Sequence, residues 1–225
     1  PALLTAMACS DDSPVTPDTP DTPDGPDITN SVEKLVSIDA GQTFQTIAGF
    51  GASDCWTPAF VGKSWTSHRA GITELLFSSE IVGGKPKGIG LSQWRVNLGG
   101  GSAAQGEACG IEDKSRRAES YLTDDLTYDW TRCEGQRYFM DRAKELGCNN
   151  FVLFSNTPPV QYTYNGKGFS ARGGLSNLKP EHYGDFAGYM ADVAARYTAE
   201  GYHISHISPV NEPQYNWDSG QEGSG

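Results

Sequence analysis

Glu212 stands between Asn211 and Pro213, at the end of the stretch HISHISPV. Proline supplies no main-chain donor and tends to end a strand, so this carboxyl is expected just past a strand's carboxyl end. At the edge of a low-dielectric interior, burial disfavours a carboxylate's charged form and moves it toward the range of a proton donor. Asn211 offers both a donor and an acceptor at any pH, which suits a grip on hydroxyl groups. Asp54, Arg95, Asn97 and Asn156 fall at equivalent places, each at the carboxyl end of a predicted strand. Trp56, Trp94, Tyr162, Tyr164, Tyr215 and Trp217 lie around these segments, several of them in loops. Flat rings there can cover the C–H faces of a ligand while leaving its polar edges free. Singly, each group has a bland explanation: a solvated loop carboxylate, an ion-paired arginine, a packed ring. Convergence on one end of a sheet is what gives them weight.

The elements that must position these groups alternate. KLVSID and TFQTIAGFGAS read as short strands, and SHRAGITELLFS carries Ile72, Leu75 and Leu76 at helical spacing. GIGLSQWRVNLGGG follows as a strand running into glycines. RYFMDRAKELG places Phe139, Met140, Ala143 and Leu146 on one helical stripe, with Gly147 suited to end it. NNFVLFSNTPP is an apolar strand closed by prolines. PEHYGDFAGYMADVAARYTAEG is the clearest helix, with Tyr183, Phe186, Ala187, Met190, Val193, Ala194 and Tyr197 on one face. HISHISPVNEP is the last strand. Largely apolar strands alternating with helices predict a parallel sheet, either doubly wound or closed as a (β/α)8 barrel. Polar residues gathered at strand carboxyl ends favour the barrel, whose chemistry sits on that face. Four β/α-type strands begin at TIAGF, WRVNL, FVLFS and ISPV. A closed barrel has eight strands and about 250 residues, so the chain is expected to be the first half of a domain, inactive and poorly soluble by itself.

The 225 residues carry a formal net charge of −11, six of which come from aspartates before residue 30, where no Lys or Arg occurs. The body has no run of basic residues, which argues against nucleic acid and anionic lipid as partners and for neutral substrates. GFGAS lacks GxGxxG spacing and LGGGSAAQG is not followed by Lys-Ser/Thr, so nucleotide binding has little support. The chain opens PALLTAMACS. Residues 1–9 read as the tail of a signal segment with a lipoprotein-like cleavage site, Cys9 being the lipid-modified residue; an ordinary secretory signal is the alternative. Residues 10–30, rich in Pro, Asp and Thr, bury nothing and read as an extended tether. Export to the cell surface or periplasm follows, with the membrane touched only through a lipid anchor in the outer membrane. Cys55, Cys109, Cys133 and Cys148 can form two disulfides or stay buried thiols, and their spacing, with no CxxC, does not suggest zinc.

TIAGFGASDCW, GIGLSQWRVNLGGG, FSNTPP and SPVNEPQYNWDSGQEG together resemble the amino-terminal half of bacterial glycoside hydrolase family 30 enzymes, most closely the endo-β-1,6-galactanase-like branch. The likeness runs over nearly all residues after the tether, and the last segment is its most specific part. It implies a retaining glycosidase on a TIM barrel, residues 45–225 being its amino-terminal half and residues 31–44 a strand of a side β-sandwich. Glu212 matches the family's acid/base and Asn211 the asparagine that holds the sugar where cleavage occurs. Arg95 matches the arginine that supports the carboxylates. Asp54, Asn97, Asn156 and Trp217 would contact substrate. The nucleophile, a glutamate near the end of the seventh strand, has no counterpart here, since Asp218 and Glu222 follow the fourth. The implied substrate is a neutral polysaccharide or oligosaccharide, with β-1,6-galactan favoured over β-glucan or xylan. Two carboxylates suffice for the chemistry, so no cofactor or metal is implied. A noncatalytic glycan-binding lipoprotein is the alternative.

Overall fold

The structure, a computed structural model, describes residues 37–223. The signal-like segment with Cys9 and the tether lie outside the described residues. The described residues fall into two units, 37–48 and 49–223. In the first, residues 37–48 contain a turn at Ala40–Gly41, where the Asp39 carboxylate accepts the Gly41 N–H at 2.9 Å, and no strand. The strand expected over residues 31–44 is therefore absent from its described part, and residues 31–36 lie outside. Alternation alone does not make a strand: Ile38 and Phe44 are exposed, and no neighbour pairs with this segment among the described residues.

The second unit is built on four parallel strands in chain order: β1 (Gly51–Ser53), β4 (Gln93–Asn97), β5 (Asn150–Phe154) and β6 (Ile204–Ser208). Between β1 and β4 lie α1 (Thr57–Ser64), α2 (Arg69–Phe77) and a small hairpin of β2 (Ile81–Val82) and β3 (Lys85–Pro86). Its Gly83-Gly84 turn has both φ angles positive, 58° and 77°, as a two-residue hairpin loop requires. After β4 come two 3-10 stretches, Ser102–Cys109 and Lys114–Arg116, then α3 (Glu134–Glu145). α4 (Tyr183–Ala199) joins β5 to β6. Each strand pairs with its predecessor, Ser53 opposite Arg95 and Asn97 opposite Phe154, so the carboxyl ends line up side by side. This is the arrangement of a partial (β/α) barrel.

The core lies between sheet and helices. Trp94 and Val96 of β4 and Phe151 and Leu153 of β5 are buried. The Trp94 ring meets Phe77 of α2 edge-on at 5.0 Å and stacks with Phe139 of α3 at 6.3 Å. With a period of two, Arg95 and Asn97 must then face the opposite side of the sheet. The stripe predicted for α3 is largely realised, with Phe139, Met140 and Ala143 buried and Gly147 at φ 99° after its end. On α4 the stripe is rotated: Tyr189 joins Phe186, Met190, Val193 and Tyr197 in the core, while Tyr183 is exposed, and on α2 Leu75 points to solvent. α1, which the sequence reading missed, packs backbone to backbone on α3. A Cβ on Gly135 would come within 1.9 Å of the Ala59 carbonyl oxygen. All four cysteines of this unit are free thiols, Cys109, Cys133 and Cys148 buried and Cys55 half-buried. The disulfide alternative is not taken up, and burial among apolar groups accounts for three of the four.

Candidate active site

The strand ends bring Asp54, Arg95, Asn97, Asn156 and Asn211 into one hydrogen-bonded group. Asp54 follows β1 directly, and its main-chain N–H donates to the Arg95 carbonyl at 2.9 Å. Its side chain is 1 % exposed. One carboxyl oxygen accepts the Asn97 N–H at 2.7 Å and the other accepts from Gln136 Nε2 at 2.7 Å. Gln136 Nε2 also donates to the Asn97 carbonyl at 2.8 Å. Burial raises the Asp54 carboxyl to about 7, against the lowering pull of those donors and of Arg95. Asp54 therefore holds the ends of β1, β4 and α3 together. Both its oxygens accept hydrogen bonds from the protein.

A second row crosses the strand ends. Arg95 lies flat over the Phe154 ring, 3.3 Å from its centre, and donates from Nη2 to Asn211 Oδ1 at 2.7 Å. Asn211 Nδ2 donates to Asn156 Oδ1 at 2.7 Å. Asn156 Nδ2 donates to the main-chain carbonyl of Glu222 at 2.8 Å, and the Asn156 N–H donates to Asn97 Oδ1 at 3.3 Å. Asn156 Nδ2 also lies 3.4 Å from the Cys55 sulfur, a thiol that burial pushes upward and so away from nucleophilic character.

Glu212 comes next after Asn211, past the end of β6, in the left-handed region at φ 47°. For a residue with a Cβ this conformation is strained by about 1 kcal/mol or more. The Glu212 carbonyl is tied down by Tyr215 N–H at 2.9 Å and Trp217 Nε1 at 3.2 Å. Glu212 is exposed. The burial expected around it is thus not present, because Val210, Pro213 and Tyr215 beside it are exposed as well. Trp217 is also placed otherwise than expected. It is buried, its ring covered by Gly223 and met edge-on by Tyr215 at 4.8 Å, so it closes the loop and offers no open face to a sugar. Of the six rings singled out in the sequence, Tyr164 and Tyr215 are the exposed ones. Trp56 donates from Nε1 to the Glu222 carbonyl at 2.7 Å and has the Arg116 guanidinium over its ring at 4.8 Å.

Two polar residues of the group escaped the sequence reading. Gln136 is the polar member of an otherwise apolar face of α3, with Met140 and Ala143 on the same stripe, and that break in the pattern is its signal. Glu222 is fully buried, and its side chain accepts from the main-chain N–H of Gly100, from Ser102 N at 3.1 Å, from the Ser102 hydroxyl and from Ala118 N at 3.3 Å. Burial raises its carboxyl and these donors oppose the rise. Its sequence signal is an acid within GQEG, and of the run Gly99-Gly100-Gly101 its carboxylate meets the Gly100 main chain. Among the described residues, no three His, Cys, Asp or Glu side chains converge as metal ligands would.

Parallel strands in barrel order thus gather amides, an arginine and a glutamate at their carboxyl ends, the face on which (β/α) barrels carry their chemistry. The family model of O-glycosyl hydrolase family 30 matches residues 33–225, and the chain belongs to that family. An endo-β-1,6-galactanase of Hypocrea rufa is 26 % identical over 199 residues, covering 81 % of this chain and 40 % of that protein. The crystal structure of a conserved exported protein from Bacteroides fragilis superposes with a TM-score of 0.77 at 38 % identity, over 83 % of this chain and 39 % of that one. The catalytic domain of family 30 xylanase C from Talaromyces cellulolyticus shares the fold, with a TM-score of 0.52 at 23 % identity, over 80 % and 40 % of the two chains. The chain thus spans about two fifths of the length of these relatives.

Proposed function

We propose that the whole protein is a retaining O-glycosyl hydrolase of neutral β-linked polysaccharide, with β-1,6-galactan the favoured substrate. The observation that carries this is the placing of Glu212: exposed, one residue beyond the Asn211 amide that Arg95 and Asn156 hold, at the carboxyl end of a barrel strand. Glu212 protonates the leaving glycosidic oxygen as the bond to the anomeric carbon breaks. A second glutamate, carried by a later strand about 5–5.5 Å away, attacks that carbon and forms the glycosyl-enzyme. Glu212, now ionised, takes a proton from the water that releases the sugar and is reset. Asn211 grips a hydroxyl of the sugar in this subsite. Arg95 keeps positive charge beside the carboxylates, and Asn97 and Asn156 support the same subsite. The galactanase relative favours galactan over glucan or xylan. Export with a lipid anchor on Cys9 is part of the same proposal. It is supported by the signal-like opening and by the likeness to an exported protein.

The test is hydrolysis of β-1,6-galactan, β-1,6-glucan and glucuronoxylan by the whole protein and by its Glu212→Gln variant. Sugar release from galactan that disappears in the variant, with binding kept, supports the proposal. Binding without release by the wild type would instead make the protein a noncatalytic glycan binder.

A further inference from the structure

We propose that Glu222 is a positioning residue of the site: its buried carboxylate fixes its own main-chain carbonyl, and through Asn156 that carbonyl sets the direction in which Asn211 meets the sugar. The role of Asn211 rests on the glycosidase reading; the geometry that orients it does not.

The polarity of the row carries the inference. Arginine only donates, so the atom of Asn211 facing Arg95 must be its oxygen, and its nitrogen must face Asn156. Asn156 then accepts with its oxygen and must find an acceptor for its own nitrogen. The Glu222 carbonyl, which only accepts, is there at 2.8 Å. A donor-only group at one end and an acceptor-only group at the other admit a single orientation for both amides. One hydrogen of Asn211 Nδ2 is thereby committed, and the direction of the second, left for a substrate hydroxyl, is fixed by it.

The acceptor end must itself be held still, and the carboxylate does this. Four donors from Gly100, Ser102 and Ala118 close on it, and Trp56 Nε1 donates to the same carbonyl that Asn156 uses. The fit is tight on the far side too, since a Cβ on Gly168 would come within 2.8 Å of Glu222 Cγ. A mere loop clamp would need the carboxylate's bonds. It would not need the carbonyl to end a row of amides reaching the residue before Glu212.

Glu222→Gln keeps size and shape but turns an NH2 group toward main-chain N–H donors, displacing the carbonyl. In the whole protein, at a temperature well below unfolding, kcat on galactan oligosaccharides should fall by about 10- to 100-fold, with KM changed little. Asn156→Ala should lose a comparable factor, and the double variant should lose hardly more than either single one, because both act through the same amide. Ser102→Ala removes one donor only and should reduce kcat in the same direction by less, which keeps the test alive where Glu222→Gln does not fold. An unchanged kcat beside a lowered unfolding temperature, or fully additive losses, would overturn the proposal and leave Glu222 a loop clamp. If the wild type releases sugar from none of the glycans, the glycosidase reading fails separately, and the crystal structure of the Glu222→Gln protein decides. Rotated Asn156 and Asn211 amides support the positioning role; amides in the wild-type orientation overturn it.

Discussion

Glu212 and Glu222 sit ten residues apart in one loop and have opposite surroundings. Glu212 is exposed and held only through its main chain, on a backbone wound into the left-handed region. Glu222 is sealed from solvent, with its carboxylate surrounded by donors and its carbonyl at the end of the amide row. A group that must exchange protons with substrate and water has to be reachable. A group that fixes geometry does best where nothing competes for its hydrogen bonds. The same division runs through the site floor, where buried Asp54 joins strand ends while Arg95 and Asn211 remain partly open.

The contrast can be broken first on activity. Glu212→Gln in the whole protein should lower kcat by about 100- to 10,000-fold and leave the unfolding midpoint unchanged, as steady-state hydrolysis and calorimetry on the same samples would show. A variant that melts early would place Glu212 with the structural groups. Next is the contact that brings Gln136 to Asp54. Because a Cβ at position 135 would press on the Ala59 carbonyl of α1, Gly135→Ala should cost about 3 kcal/mol in urea unfolding.

Asp54 sharpens the comparison through pH. Folded, it keeps its proton to about pH 7; unfolded, a carboxyl of this type releases it near pH 3.9. Between those values the folded state binds more protons, so the Asp54 contribution to stability is greatest below about pH 4, falls as pH rises toward 7 and is flat above. Urea unfolding from pH 5 to 8 should show a decline of roughly 2 kcal/mol in the wild type that Asp54→Asn lacks. A parallel decline in both would mean that another group titrates. The smallest effect belongs to the surface. Lys87 bridges Glu80 at 2.7 Å in the open, and Lys87→Gln should leave the unfolding midpoint where it is.

What the sequence revealed follows the range of the interactions involved. α3 and α4 are written in a period of 3.6, and β5 in a continuous apolar run closed by prolines, patterns that a single segment carries by itself. α1 is eight residues long and is held by Gly62 and Gly135 against a helix more than seventy positions away, so no local stripe announced it. Residues 37–44 alternate like a strand yet remain unpaired among the described residues, since pairing depends on a neighbour and not on the segment. At the site, residue type and strand-end position correctly grouped Asp54, Arg95, Asn97, Asn156 and Asn211. They do not say which oxygen or ring face is already occupied, as both Asp54 oxygens and the buried Trp217 ring are. Glu222 was passed over because its partners Gly100 and Ser102 lie 122 and 120 positions earlier.

These separations also set an order of events in synthesis. Each strand pairs with the one made before it, so sheet and helices can accrete in the sequence in which they leave the ribosome. The amide row cannot: Trp56 waits 166 positions, and Asn156 waits 66, for the carbonyl that both of them bind. A nascent chain that has reached Ser208 already has its four paired strands, whereas Asn156 still lacks both Asn211 and the Glu222 carbonyl that its amide binds. The amide row is thus aligned late, by the fourteen residues from Pro209 to Glu222 that arrive after the strands they join.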